Sequence, residues 1–487
     1  MTAVGAGPYA ATRDARSPRG RALIEQRPLR YPDGTPDVMT RRGWWLVILG
    51  WLVPGSAQVL AGSRRLGRFG LGATLTAWVV AILLVLGVLL WRPGVTSILF
   101  APVFGPILLT IAQVAIAGYG VLWVILGIDT LRLVRLVRTR GGARIGIAVL
   151  AIVLMVVSGG TAAYGASSVG TARDALGSIF GESGPSVPPS DGYYNILLLG
   201  ADSGEGRDSM RYDSISVVSI NAETGGTTIT GIPRDMPHFP FSPGPMQDLY
   251  PDGHEGVADP ECGWSSGINQ LRTEVELCRD GAALYPDAAG RGSTPGVEAT
   301  KDAAEGILGI EIPYYVFIDM HGFAALIDAL GGVEVDVAER LPKGGGPAYE
   351  GQPAEEWAIG WIEPGVQRMD GDTAQWYARS RYTTSDWDRM QRQRQLQQAI
   401  LAQFTPTTVL TRFQDVAEAG TAIVETDLPQ SMLSYFVELG LKAKEQPVGT
   451  VELIPPLVDP DAPDFPAIRQ LIADTLHPAS PTPEPAQ

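Results

Sequence analysis

Y-Y-N-I-L-L-L-G, residues 193–200, runs directly into A-D-S, and the reading of this apolar stretch decides the fold of the second half of the chain. It reads as a buried strand. Residues 214–220 and 226–232 read as a strand pair around the turn N-A-E-T-G-G. Further strands are expected at 313–319 and 333–337, with helices at 296–308, 321–330, 371–378 and 387–404. Apolar strands interspersed with helices imply an α/β domain whose central sheet is covered on both faces.

Sheets of this kind carry their polar chemistry where strands end. The first strand ends in G-A-D-S, giving Asp202; R-Y-D-S before the second gives Arg211 and Asp213; I-P-R-D after the third gives Arg234 and Asp235. Asp202 and Asp213 flank a Gly-rich loop, so two carboxylates can converge from its two ends on an octahedral Mg²⁺ (or Mn²⁺) completed by phosphate oxygens and water. Taken alone, two aspartates at strand ends are as well explained as turn or cap residues. The neighbouring arginines favour the metal.

Those arginines belong to a second stretch, R-S-R-Y-T-T-S-D-W-D-R-M-Q-R-Q, Arg379 to Gln393, in a chain that is otherwise acidic and poor in lysine. Guanidinium forks match phosphate oxygens and stay charged at any working pH. Read as an extended segment, Arg379 and Arg381 leave one face of the chain. Arg389 and Gln393, four apart, share a face of the following helix, whereas Arg392 and Arg394 point elsewhere and are expected to be solvated. A pyrophosphate-bearing substrate could be neutralised by Mg²⁺ with Arg211, Arg234, Arg379, Arg381 and Arg389 during in-line phosphoryl transfer, which needs mainly positioning and charge stabilisation.

The first third of the chain is of another kind. Residues 69–91, 102–127 and 145–166 are each long and apolar enough to cross a bilayer. Residues 44–61 are shorter and broken by Pro54-Gly55, and the arginines at both ends favour a re-entrant or interfacial hairpin over a further span, which leaves three full spans. Arginines on both sides of 44–61 and from Arg132 to Arg144 place these loops in the cytoplasm, and the large C-terminal part outside it. Residues 1–145 hold 17 Arg and 5 Asp or Glu, so the chain's net charge of −15 leaves −27 for the remainder. So acidic an outer part excludes nucleic acid as a partner of the whole surface, and anion capture must be local. Residues 1–42 are expected to be a disordered cytoplasmic tail, 169–191 a linker, and 477–487 a Pro-rich tail. Cys262 and Cys278 are read as either a bridge pinning an inserted loop, 237–295, or two buried thiols.

With these residues in view, the outer part resembles the LytR-CpsA-Psr family of cell-wall ligases over roughly residues 192–460. The resemblance rests on N-I-L-L-L-G-A-D-S, R-Y-D-S, I-P-R-D, G-I-N with Asn269, G-I-E-I-P-Y-Y-V, L-G-G-V-E-V-D-V, G-V-Q-R-M-D-G-D-T-A-Q-W-Y-A-R-S-R-Y, and the helix bearing Asp386, Arg389 and Gln393. It implies an αβα sandwich with a central mixed sheet, preceded by a transmembrane helical region, and an apolar groove for a polyprenyl chain. The implied reaction moves a glycopolymer with one phosphate from a polyprenyl-pyrophosphate carrier to a peptidoglycan sugar hydroxyl. By motif, Asp202 and Asp213 match the Mg²⁺ ligands. Arg211, Arg234, Arg379, Arg381, Asp386, Arg389 and Gln393 match the pyrophosphate site. Asp235 would hold Arg234 or accept the hydroxyl proton. The multi-span N-terminus is similar to that of actinobacterial members, at the cell membrane.

The chain departs from the family pattern at Gly267, where Lys is common, and at Asp388, where Gly is usual. A wall sensor or transcriptional attenuator that binds lipid precursors, or an isoprenoid pyrophosphatase, would use the same residues. Trp357, Trp361 and Trp376 are read as packing in preference to sugar stacking. His238, His254, His321 and His477 lack ligand spacing and are assigned no role.

Overall fold

The structure, a computed structural model, describes residues 34–180, 186–201, 211–257, 262, 263, 265–403, 415, 424–444 and 446–478. They fall into two compact units, one with the described residues up to Arg92 and 110–169, the other with 93–109 and those from Gly170 onward.

In the first unit, α1 (Pro36–Leu52) and α2 (Ser56–Ala61) part at Pro54-Gly55, where Gly55 has φ +96°. A Cβ on Gly55 would run into the backbone of Gly67, Gly70 and Leu71, so the turn needs glycine for its close approach as well as its dihedral. Then come α3 (Arg64–Leu90), α4 (Phe104–Val134) and α5 (Gly141–Phe180). All three are long and apolar enough to cross a membrane. Some polar groups within the unit find partners there. Gln58 Nε2 donates to Leu126 O at 2.8 Å and Thr130 Oγ1 at 3.0 Å, and Trp51 Nε1 donates to Ser158 Oγ at 3.1 Å. Two expected boundaries move. Helix α1 begins inside the tail expected over 1–42, and α5 continues through 169–180, expected to be linker. Most of the N-terminal tail and residues 479–487 lie outside the described residues.

The second unit is built on six strands: β1 (Tyr193–Ala201), β2 (Tyr212–Asn221), β3 (Thr227–Ile232), β4 (Tyr314–Asp319), β9 (Val424–Thr426) and β10 (Gly449–Glu452). Their order is β10-β3-β2-β1-β4-β9. The pairs β1–β4 and β10–β3 are parallel and the other three antiparallel, so the sheet is mixed. Side chains alternate across it. Leu197, Leu199, Ile215, Val217, Tyr315 and Phe317 form one core with α6 (Pro295–Leu308) and α11 (Phe465–Leu476). The even-numbered residues Ile196, Leu198, Val316 and Ile318 face α7 (Met320–Leu330) and α9 (Asp386–Gln403) on the other side. The αβα sandwich is thus present.

A smaller core adjoins it, in which β5 (Val333–Val337) pairs with β8 (Gly365–Met369) and β6 (Leu341–Lys343) with β7 (Gly360–Ile362). These pack on α8 (Gly371–Arg379), whose N-cap Asp370 accepts from Thr373 N at 2.8 Å. On the same face of the sheet as α7 and α9, α10 (Leu433–Ala443) contributes Leu439 to a cluster with Tyr194, Ile196 and Tyr314. Helix α6 has the start and stop its sequence encodes: Thr294 caps Val297 N, Pro295 opens it and Gly309 closes it at φ +72°.

Cys262 and Cys278 form a disulfide with Cα atoms 6.0 Å apart, which decides between the two readings of the pair. The inserted segment has a polar core of its own. His254, fully buried, meets Ser266 Oγ through Nδ1 and Glu274 Oε2 through Nε2, both at 2.9 Å. Burial works against the Glu274 charge, yet His254, Tyr250 and Arg279 outweigh it and hold the carboxyl below its usual range. His254 therefore has a structural role that its spacing did not show. The side chain of His321 lies outside the described ones.

Lys301 on α6 is also buried. Its Nζ reaches Glu298 Oε1 at 2.9 Å, Pro313 O at 3.2 Å and the Asp427 carboxylate, which accepts from Tyr315 N at 2.7 Å. Removing one member of such a group strands the others without compensation. Lys301→Ala is expected to cost about 3 kcal/mol, measured as a lower midpoint of guanidinium unfolding.

Asp302, its neighbour, has no cation beside it. Burial pushes its carboxyl up to about 6, against the hydroxyls of Tyr285, at 2.5 Å, and Ser242. A folded pKa above the unfolded one stabilises the fold fully below the unfolded value and is lost as pH rises through the folded value. Wild type should therefore gain on Asp302→Asn by about 2–3 kcal/mol as pH falls from 7 to 4, read from unfolding curves of both proteins across that range.

Candidate active site

Two cavities meet on the α9 side of the sheet. The first, of about 310 Å³, is apolar: Ile196, Leu198, Val218 and Val316 form its floor and Phe323, Leu396 and Ile400 its roof. The second, of about 770 Å³, is polar, and Arg211, Asp213, Arg234, Asp235, Arg379, Arg381, Arg389 and Gln393 all line it. Ala378 and Gln393 belong to both walls. Gln393 is buried; its Nε2 donates to Ala378 O at 3.4 Å and its Oε1 has no partner among the described residues.

The sheet sets the first group of residues. Gly200 pairs with Ser214 but Ala201 pairs with Tyr212, so Asp213 is the extra residue of a β-bulge. A bulge re-aims the side chain it carries, here toward Arg234, just beyond β3. Arg234 Nη1 donates to Asp213 Oδ1, Nε lies 3.3 Å from Asp235 Oδ2, and Nη2 lies 3.9 Å from Asp386 Oδ1. Burial works against this charge, but Asp235, Asp213 and Asp386 together outweigh it and raise the guanidinium pKa above its ordinary value. Asp386 also accepts from Arg389 Nη2 at 2.9 Å. Arg389 is more deeply buried, and burial, with Arg234 nearby, lowers its pKa.

The loop between α8 and α9 sets the second group. Arg379 is the last residue of helix α8 and Arg381 stands beyond it, which corrects the extended reading of this pair. Both are exposed and both face the polar cavity. Arg392 and Arg394, expected to be solvated, are buried at 6% and 3% exposure. Arg392 Nε donates to Tyr377 O at 3.1 Å and its Nη2 to Ser380 O and Thr384, tying the α8–α9 loop to the helix. Arg394 Nε lies 3.0 Å from Glu452 Oε1 on β10. Asp388 caps its own helix by accepting from Ser385 N at 2.8 Å and takes no place in the cavity wall.

Asn269 and Gln270 complete the wall. Asn269 N donates to Arg234 O at 3.0 Å and its Nδ2 to Asp235 Oδ1 at 3.1 Å. Gln270 carries no charge and no motif, and nothing in its sequence context marks it. Trp376, read as packing, also lines the polar cavity; Trp361 lies under the Arg340 guanidinium at 3.8 Å, and Trp357 meets Tyr382 edge-on at 5.1 Å. Asp202 lies outside the described residues, so the separation of the expected metal ligands is not defined. No group of three or more acidic, His or Cys side chains suited to a metal occurs among the described residues.

The LytR_cpsA_psr family matches residues 169–238 and 283–454, omitting the part of the inserted segment that holds both cysteines. The polyisoprenyl-teichoic acid–peptidoglycan teichoic acid transferase TagU of Halalkalibacterium halodurans is 28% identical over 238 residues, 48% of this chain and 61% of that protein. Biofilm regulatory protein A of Streptococcus mutans is 26% identical over 277 residues, 56% of this chain and 59% of that protein. The chain thus spans about three fifths of the length of these curated relatives. Among solved structures, the LytR-Csp2A-Psr enzyme from Actinomyces oris is 21% identical with a TM-score of 0.38, covering 60% of this chain and 92% of that one. TagV of B. subtilis is 20% identical with a TM-score of 0.38, covering 59% and 98%. The matched segments contain N-I-L-L-L-G, I-P-R-D and R-S-R-Y, and by them this chain belongs to the LytR-CpsA-Psr family.

Proposed function

We propose that this protein is a membrane-anchored phosphotransferase that moves a glycopolymer, with one phosphate, from a polyprenyl-pyrophosphate carrier to a sugar hydroxyl of peptidoglycan. The observation that carries this reading is the shared wall of the two cavities at Ala378 and Gln393. An apolar cavity adjacent to an arginine-lined one fits a molecule with a long apolar tail and an anionic head. Charge fits as well. Among the described residues five arginines face Asp213, Asp235 and Asp386, an excess of two positive charges that balances the two ionised oxygens of a disubstituted pyrophosphate.

In the proposed step, the acceptor hydroxyl oxygen bonds to the sugar-side phosphorus. The bond from that phosphorus to the bridging oxygen breaks, polyprenyl phosphate leaves with the electron pair, and the hydroxyl proton passes to a carboxylate. Asp235 is the candidate for that proton, being largely exposed within the cavity and held by Arg234 and Asn269. Arg379, Arg381 and Arg389 would stabilise the charge that builds on the phosphoryl and leaving oxygens. Carboxylates of Asp213 and Asp202 are the donor type a divalent cation such as Mg²⁺ takes, and a bound ion would add further charge neutralisation. Asp213 is partly engaged by Arg234 and leaves its second oxygen for that purpose. The catalytic part is placed outside the cytoplasm, the side on which peptidoglycan lies.

Arg234→Ala and Arg379→Ala are expected to lower transfer at least about a hundredfold while folding and membrane location survive. The measurement is wall glycopolymer content in a deletion strain carrying each variant. Restoration of polymer attachment by either variant would sink the enzyme reading and leave lipid-precursor sensing as the function.

A further inference from the structure

Beyond the arginines, the polar cavity has an edge with the opposite hydrogen-bonding character. Asn269 is only 6% exposed and its Nδ2 donates to Asp235 Oδ1 at 3.1 Å. A carboxylate only accepts, so the amide NH₂ must face it, and Oδ1 is turned the other way. That oxygen is buried with no partner among the described residues, and Oε1 of Gln270, the next residue, is in the same condition. A buried acceptor left without a donor is costly, and a donor from a ligand or from water relieves it. Asp235, Asn269 and Gln270 all belong to the cavity wall, and so set a row of acceptor-bearing side chains beside its guanidinium donors.

The row is built, not incidental. Ile268 and Leu271, both fully buried, anchor the backbone on either side. Asn269 N is fixed to Arg234 O at 3.0 Å. The segment lies inside the loop closed by Cys262–Cys278, and Ser266 just before it bonds to the buried His254. Asn269 belongs to the G-I-N motif, but the disulfide and the His254 contact that brace it fall in the stretch that the family match leaves out. Gly267 keeps the space beside the row open: a Cβ there would stand 3.1 Å from Asn269 Oδ1.

Phosphate oxygens, being acceptors, gain nothing from such a row. A cation is disfavoured by Arg234, whose Nε is 3.3 Å from Asp235 Oδ2. Hydroxyl groups supply what the row lacks. We infer that Asp235, Asn269 and Gln270 form the subsite for the hydroxyl-bearing sugar that accepts the phosphoryl group, and that the disulfide-closed insertion sets which sugar is accepted. This rests on the transfer reading above. In it Asp235 receives the proton of the attacking hydroxyl, and the Asn269 and Gln270 oxygens bind neighbouring hydroxyl or amide N–H groups of the same sugar.

The test uses the full-length protein in detergent with Mg²⁺. The donor is geranylgeranyl-pyrophosphoryl N-acetylglucosamine, and the acceptor a tetrasaccharide of alternating N-acetylglucosamine and N-acetylmuramic acid. Gln270→Leu is expected to raise the acceptor KM about tenfold with a smaller change in kcat, and Gln270→Glu, which keeps an acceptor oxygen, to restore most of it. Gly267→Lys, which places an ammonium beside Asn269 Oδ1, should raise the acceptor KM while calorimetric binding of geranylgeranyl pyrophosphate stays within about twofold. An acceptor KM that neither Gln270→Leu nor Gly267→Lys moves overturns the subsite, as does a change in Mg²⁺ requirement in place of acceptor KM. Wild-type protein that binds geranylgeranyl pyrophosphate but shows no saturation with acceptor also overturns the subsite alone. Failure of the wild type to bind geranylgeranyl pyrophosphate at all sinks the transfer reading, and the subsite with it.

Discussion

Arg234 is the group on which the candidate site depends. Its guanidinium is held by carboxylates from the β2 bulge, from its own turn and from the start of α9, and its carbonyl accepts from the inserted segment. Four parts of the chain are thereby brought to one point. Physical necessity runs in both directions. A partly buried guanidinium needs compensating carboxylates, and three aspartates so close together would repel one another without a cation between them. Arg389 is then added at modest cost, because Asp386 already stands between the two guanidinium groups.

Helix α9 converts that point into an axis. Arg389, Gln393 and Leu396 or Gln397 follow at helical spacing, so one face passes from charge through amide to hydrocarbon within three turns, about 5.4 Å each. The helix must therefore be fixed in rotation. Arg392 and Arg394 do this from its other faces, one reaching back to carbonyls of α8 and its loop, the other to Glu452 on the edge strand β10. Burial pushes the Glu452 carboxyl up to about 7 against the pull of Arg394, which shows how completely that contact is withdrawn from water.

What the sequence disclosed follows from the range of the forces involved. The strands at 193–201, 212–221 and 227–232 were legible because alternation and apolar runs are local signals. The short strands 424–426 and 449–452 were not, since three or four residues carry no period and exist as strands only through β4 and β3. The site arginines were legible as types but not as orientations. Asp213 faces Arg234 because of a bulge that only register reveals, and Arg379 ends a helix whose stop is set by Ser380. Arg392 and Arg394 were misread for a related reason: helical spacing separates faces, but only tertiary packing decides which faces are wet. Lys301, His254 and Gln270 were invisible because burial of a polar side chain depends on partners from far along the chain.

The charge distribution bears on how an anion reaches this site. Residues 146–487 carry a net −27, so at long range this part of the chain repels the kind of molecule its arginine cluster would hold. Screening resolves the conflict in part, because at physiological salt the field of distant charges fades over roughly 8 Å, and inside that distance the cavity's own excess of positive charge governs. The rest is resolved if the ligand is never free in solution. On the proposed reading, a lipid-linked substrate would be confined to the bilayer that the three apolar helices are long enough to cross, so its local concentration would be set by the membrane without long-range steering. An acidic surface would then cost little in capture and would work against free phosphates and nucleotides, and on the proposed reading the combination of tail and head, met by two adjacent cavities, would be the basis of selection.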